Sequence, residues 1–256
     1  MKIAVLIKQV PGSESALPIN DNYSWVEESS VTFVMNPPDN FALEEALLIK
    51  EDRGEGEVVV LSMGPHRVQK VIREGLAKGA DRGIHIEEDE SIEIDPLLIA
   101  QKFVDVLKNE NFDLIFTGLQ SDDTGMGQTG ALIGEILGMS TATLVIETDI
   151  QDGVARVKKE LESGWFQWVE LPLPASISIQ SGLNNPRYPS LKGIMGAKKK
   201  EIKYIGSSDL SVEDKYQIIE KLFIPQTSKQ TEIIEGHEDE VVERIVQILK
   251  SEVKVI

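Results

Sequence analysis

The 256-residue chain contains no cysteine. That excludes disulfides, thiolate metal sites and a cysteine nucleophile, and it agrees with a reducing compartment. Histidine is almost as scarce: His66, His85 and His237 stand far apart without metal-ligand spacing, so each reads as an ordinary surface or turn residue and no metal site is expected. Positive charge is also short. Lys and Arg number 26 against 43 Asp and Glu, a formal net charge of −17, which argues against nucleic acid or an anionic membrane as the main partner. No apolar run approaches the roughly 20 residues of a membrane span. Ile3 to Ile7 is too short an apolar run for a signal peptide and no small-residue cleavage site follows it, so it reads as a buried strand. These absences point to the cytoplasm, or to the mitochondrial matrix in a eukaryote.

What is present is an alternation. Ile3 to Ile7 predicts a first strand, and a small hairpin is expected between Tyr23–Val26 and Val31–Val34. Asn36-Pro37-Pro38-Asp39 announces a helix, with Asn as N-cap and Pro where no donor is needed; Glu44, Glu45, Lys50 and Glu51 are expected to face water, and Gly54 ends it. Val58 to Met63 is a strand, His66 to Lys78 a helix closed by a left-handed Gly79, and Asp81 to Ile86 a strand. Asp95-Pro96 opens a helix running to about Asn109, and Phe112 to Thr117 is a fourth strand. Strands and helices in this order predict a doubly wound, mainly parallel α/β sheet, with ligands bound beyond the carboxyl ends of its strands where the winding reverses. The segments at Lys8, Asn36 to Asp39, Met63-Gly64 and Gly118 to Gly130 are therefore candidates to line one crevice.

Gly118 to Gly130 follows the fourth strand and leads into the helical pattern Ala131 to Leu137. Free N–H groups at a helix start attract anions, and glycines let the main chain approach a ligand closely. Asp122, Asp123 and Thr124 are equally good N-caps, so an ordinary turn remains an open reading.

From Thr141 the period changes. Thr143 to Ile146, Val154 to Leu161, Trp165 to Leu171 and Ala175 to Ile179 predict an antiparallel addition that closes the sheet. Leu183 to Lys200 follows, a proline-containing excursion in which Leu191, Ile194 and Met195 fall on a short helical turn beside lysines. In so acidic a chain it reads as a docking surface for an acidic partner, or as a loop whose apolar residues fold back on the core. Residues 206–256 read as a C-terminal arm ending in an amphipathic helix, Glu238 to Val253, that lies on a partner subunit or on its own sheet; residues 1–205 form the main domain.

Several motifs in this order resemble the beta subunit of electron transfer flavoprotein. They are Val5-Leu6-Ile7-Lys8-Gln9-Val10, Met35-Asn36-Pro37, Leu43-Glu44-Glu45-Ala46-Leu47, Met63-Gly64-Pro65, Gly79-Ala80-Asp81-Arg82-Gly83, Gly118-Leu119-Gln120, Gln128-Thr129-Gly130 and Asn185-Pro186-Arg187-Tyr188. The resemblance implies a Rossmann-like, adenine-nucleotide-binding fold and a heterodimer. Its alpha subunit would hold the redox-active FAD and the beta subunit an AMP without redox role. Electrons would pass from flavin-dependent dehydrogenases to a membrane quinone-side acceptor, with this subunit a carrier and not an enzyme. Carried onto this chain, the AMP site is Leu6, Asn36, Pro37, Pro38, Asp39, Met63, Gly118, Leu119, Gln120, Ser121, Asp122, Asp123, Thr124, Gly125, Met126, Gly127, Gln128 and Thr129. Backbone N–H groups near Gly125 to Thr129 would take the phosphate, Leu6 and Met63 would flank the adenine or its sugar, and Asp123 would serve a ribose hydroxyl or the helix cap. The dehydrogenase-recognition loop maps to residues 179–201, with Leu191 as anchor beside Tyr188, Pro189, Ser190, Ile194 and Met195, and Glu160 would help position the flavin domain.

Members that bifurcate electrons hold a second FAD in the beta subunit, on a motif like Asp-Gly-Asp-Thr-Ala-Gln-Val-Gly. This chain keeps Asp123 but has Gly125-Met126 for the following Asp-Thr and Thr129 for Val, which favours AMP. An adenylate-cleaving enzyme would need a Ser-Gly-Gly-x-Asp-Ser loop or His-x-Gly-His, and neither is present. A nucleotide-sensing regulatory protein fits the fold but leaves the Leu183 to Lys200 loop unexplained.

Overall fold

The short apolar runs form parallel strands because both of their faces are covered. In the computed structural model, which describes residues 1–88, 95–151, 153–211, 217–225, 231 and 233–255, contacts divide the chain into two units, Met1–Leu222 and Phe223–Ile256. The first begins with β1 (Lys2–Leu6), the short β2 (Gln9–Pro11) and β3 (Phe33–Met35), α1 (Pro37–Arg53), β4 (Glu57–Gly64), α2 (Gln69–Lys78), β5 (Arg82–Glu87) and α3 (Pro96–Leu107). It continues with β6 (Leu114–Gly118), α4 (Thr129–Leu137), β7 (Ser140–Gln151), β8 (Val154–Glu160), β9 (Phe166–Pro172), β10 (Ala175–Ile179), α5 (Leu191–Ala197) and β11 (Ile202–Gly206).

Among the described residues, the main sheet runs β11-β5-β4-β1-β6-β10-β7-β8-β9, parallel from β11 to β7 and antiparallel from β7 to β9. Successive residues of β1 feed opposite layers. Ile3 and Val5 pack with Leu43, Leu47, Ile72 and Leu76 of α1 and α2, whereas Ala4 and Leu6 pack with Phe103, Leu107 and Ile133 of α3 and α4. Each fully buried Leu or Ile contributes about 1.5–3 kcal/mol of transfer free energy, so both layers are held strongly. After β1 the chain steps outward to β4 and β5, then crosses back to β6 on the other side of β1. The β1–β6 boundary is therefore the switch point, and Leu6 and Gly118 stand at its carboxyl end.

Several expectations are corrected. Ala175 to Ile179 is not part of the antiparallel addition: β10 lies between β6 and β7 and pairs in parallel with both. The hairpin forms differently, for Phe33–Met35 pairs with Gln9–Pro11 while Tyr23 turns with φ 56° and Val26 makes one bridge to Ile19. β11, parallel to β5, is a strand that the sequence reading passed over. Gly79 closes α2 at φ 142° and ψ −9°, outside the left-handed helical region. Glu44 and Glu45 face inward and are 5% and 8% exposed.

In the second unit, α6 (Glu238–Gln247) passes into a wider π-helical turn, Ile248–Val253, where one continuous α-helix was expected. Asp152 and Tyr216, and most of the stretch from Pro225 to Lys229, lie outside the described residues. No described helix is long and apolar enough to cross a membrane.

Candidate functional site

A cleft opens over the switch point. Its apolar side is formed by Leu6, Met63, Pro65, Ile99 and Phe103, and its polar side by the loop from Gly118 to Gly130. Of the residues expected to bind nucleotide, Leu6, Asn36, Asp39, Met63, Gly118, Leu119, Gln120, Ser121, Asp123, Thr124, Met126, Gly127, Gln128 and Thr129 line it. Pro37, Pro38, Asp122 and Gly125 are not among the lining residues; Pro38 is buried and the other three are exposed. Lys8, already a candidate from its strand end, lines it too.

The loop is held from below by α1. Asn36 precedes the helix but makes no side-chain cap. Its Nδ2 instead donates to the Gln120 carbonyl at 3.0 Å, and its Oδ1 accepts from the Asp122 N–H at 3.1 Å. Asp39, in the first turn, accepts from the Lys8 N–H at 2.6 Å, from Asn36 Nδ2 at 3.0 Å and from the Gly118 N–H at 3.1 Å. One buried carboxylate thus ties the ends of β1 and β6 together. Burial pushes its pKa up to about 7, against the pull of its three donors. A Cβ on Gly118 would lie 2.3 Å from Asp39 Oδ1, so only glycine admits this approach.

From above, the loop is braced by Lys8. Its ammonium lies 2.6 Å from Asp123 Oδ1, 3.3 Å from Ser121 Oγ and 3.4 Å from Thr124 Oγ1. Burial opposes ionisation of Asp123, but Lys8 and the neighbouring donors outweigh it and hold the carboxyl below its ordinary range. Asp123 is therefore a lysine partner and does not cap α4, whose N-cap is Gln128. The turn reading of Asp122 to Thr124 as caps fails for the same reason. Gly125 and Gly127 adopt φ 62° and 63°, which folds the loop back toward the helix start. The Gly125 N–H is used internally, on the Ser121 carbonyl at 3.0 Å. The first turn of α4, beginning at Thr129, adds the N–H groups of a helix start, where an anion is favoured.

Sequence reasoning missed two further features. Thr117 Oγ1 is buried without a hydrogen-bond partner and Thr117 lines the cleft; its place immediately before Gly118 was the available signal. The other end of the cleft is aromatic, with Trp25 and Phe33, and the Arg67 guanidinium stacks 3.7 Å over the Phe33 ring. Nothing in the irregular Ser13 to Ser30 segment foretold this.

Comparison with known proteins settles the family. The electron transfer flavoprotein domain model matches residues 24–210. The electron transfer flavoprotein subunit beta of Methylophilus methylotrophus is 36% identical over 259 residues, covering 97% of this chain and 98% of that protein. Its mitochondrial counterpart in Arabidopsis thaliana is 38% identical, and the subunit beta of Bacillus subtilis 32%, each with 100% of both chains covered. The chain belongs to the electron transfer flavoprotein beta-subunit family.

In this beta-subunit chain the Leu183 to Lys200 excursion is well formed. Ser190 caps α5, its Oγ accepting from the Gly193 N–H at 3.0 Å, and the buried Ala197 seats the helix. Leu183 packs on the core, but Tyr188, Leu191 and Met195 are 94%, 83% and 72% exposed, and Ile194 is exposed as well. The reading in which these apolar residues fold back inward is thus corrected for all but Leu183. Pro189 is half-buried. Of the three lysines that follow, Lys200 turns inward onto the Leu76 and Ala80 carbonyls, leaving Lys198 and Lys199 outside. Glu160 lies elsewhere, at the end of β8, where its carboxylate accepts from the Gln180 side-chain amide at 3.2 Å.

Proposed function

We propose that this chain holds AMP as a structural ligand in the β1–β6 cleft and serves as the redox-silent half of a heterodimeric electron carrier. The carrying observation is the convergence, at one switch point, of the α4 start at Thr129, the unpartnered Thr117 Oγ1 and apolar walls. The first-turn amides of α4 would hold the phosphate, Leu6 and Met63 would flank the adenine, and Lys8 and Asp39 would keep the loop in place. The carboxyl groups that line this cleft are already engaged, which supports a binding role: Asp39 is buried under three donors, Asp123 is paired with Lys8 and Glu88 with Lys102.

The FAD belongs to an alpha subunit in this reading, where it supplies the electron transfer chemistry. The exposed Tyr188, Leu191 and Met195 dock the flavin-dependent dehydrogenase, with Pro189, Ser190 and Ile194 shaping that surface and Glu160 directed to the flavin domain of the alpha subunit. A small apolar tip suits a contact that must form and break at each turnover. Residues 206–256 act as an arm on the alpha subunit. Electrons leave to a membrane quinone-side acceptor, and the complex works in the cytoplasm or, in a eukaryote, the mitochondrial matrix. The alternative of a second FAD in the cleft is disfavoured by Gly125-Met126, where bifurcating members carry Asp-Thr. Copurification tests the heterodimer. An alpha subunit that keeps its full FAD and its electron transfer rate after this chain is removed would contradict it.

A further inference from the structure

The Asn184–Arg187 stretch faces α1 and meets the two carboxylates that the periodicity had assigned to water. Arg187 donates from Nε to both oxygens of the buried Glu44 at 2.9 and 3.1 Å, and its backbone N–H adds a third bond at 3.0 Å. Its Nη2 reaches Glu44 at 2.9 Å and Glu51, about two turns further along the same helix face, at 3.0 Å. Asn184 Nδ2 donates to Glu45 Oε2 and to the Phe41 carbonyl, both at 3.0 Å, and Thr148 of β7 donates to the other oxygen of Glu45. The Arg187 guanidinium is held more firmly protonated by its bonds to Glu51 and Glu44, and Glu51 is correspondingly shifted below its ordinary range by Arg187.

We infer that Arg187 and Asn184 are positioning residues for partner recognition: with Glu44, Glu45 and Glu51 they clamp the base of the exposed α5 tip to α1. The inference rests on the reading of α5 as the docking element. A planar guanidinium bonded to two carboxylates fixes orientation as well as distance, which a lysine cannot do. Three residues separate Arg187 from Leu191, so the clamp limits how far the exposed leucine can wander. The apolar tip is then presented ready-made, and the partner is spared the entropy of ordering it.

The test uses the intact heterodimer and, as donor, whichever flavin dehydrogenase of the source cell reduces the wild-type complex fastest. Arg187→Ala alone strands the buried Glu44 charge and can unfold the chain, so Arg187→Ala with Glu44→Gln is the working variant. Arg187→Lys and Leu191→Ala accompany it. The clamp variant is expected to raise KM for the donor about tenfold at unchanged kcat and nucleotide content, with Arg187→Lys in between. Amide exchange should quicken at residues 184–197 in the clamp variant and not in Leu191→Ala. If Leu191→Ala raises KM and the clamp variant does not, or if exchange at 184–197 stays slow, the positioning role is overturned while docking stands. If neither variant raises KM, α5 is not the docking element and the inference falls with it. A rise in KM confined to the clamp variant also overturns it, since Arg187 would then act elsewhere than through α5.

Discussion

At the scale of single residues, the cleft depends on Gly118 and Asp39 approaching each other. Gly118→Ala would place a Cβ 2.3 Å from Asp39 Oδ1 and 2.7 Å from Pro38 Cβ. An overpacked contact of this kind costs about 1–3 kcal/mol. The expected outcome is a folded, destabilised chain that loses its nucleotide, checked by denaturant unfolding and by assay of released adenylate. Asp39 carries a pH signature. Its carboxyl rises from an ordinary 3.8 to about 7 in the fold, so the folded state binds the proton more readily than the unfolded one. The stability it contributes is complete below the unfolded value and is lost as pH rises through about 7. Asp39→Asn should remove that slope. The difference in unfolding free energy between wild type and variant should change by on the order of a few kcal/mol between pH 4 and pH 8, and a constant difference would contradict the assignment.

At the scale of elements, the alternation of apolar runs and capped helices made β1, β4, β5, β6 and α1 to α4 legible, because a strand covered on both faces and a Pro at the start of a helix leave local marks. The switch point was legible for the same reason. What was not legible depended on distant partners. Glu44 and Glu45 look like solvent-facing residues on a helix until Arg187 and Asn184 arrive from more than a hundred residues away. Asn36 reads as a cap, yet its side chain is committed to Gln120 and Asp122. β10 reads like its antiparallel neighbours, since apolar composition does not record strand direction. Local pattern does set α5: Ser190 caps it, and its tip faces outward. Leu191→Ala should change stability by no more than about 0.5 kcal/mol, as for an exposed position without buried contacts. The same substitution should slow reduction by the donor dehydrogenase; unchanged kinetics would move the anchor elsewhere.

At the scale of the whole molecule, the cleft proposed for a nucleotide and the clamped helix proposed for a partner are joined through α1, which contacts the loop at its start and the clamp along its length. The net charge of −17 makes the two exposed lysines beside α5, Lys198 and Lys199, a local exception. Docking of an acidic dehydrogenase there should weaken as salt rises across the physiological range, where the screening length is about 8 Å, measured as the association rate at two ionic strengths. A rate independent of salt would leave the apolar tip as the sole determinant. The most direct measurement is the nucleotide content of the purified heterodimer, released by heat and separated by chromatography. AMP and FAD in equimolar amounts are expected. A second flavin per heterodimer, or FAD with no AMP, would contradict the assignment of the β1–β6 cleft to a structural adenylate.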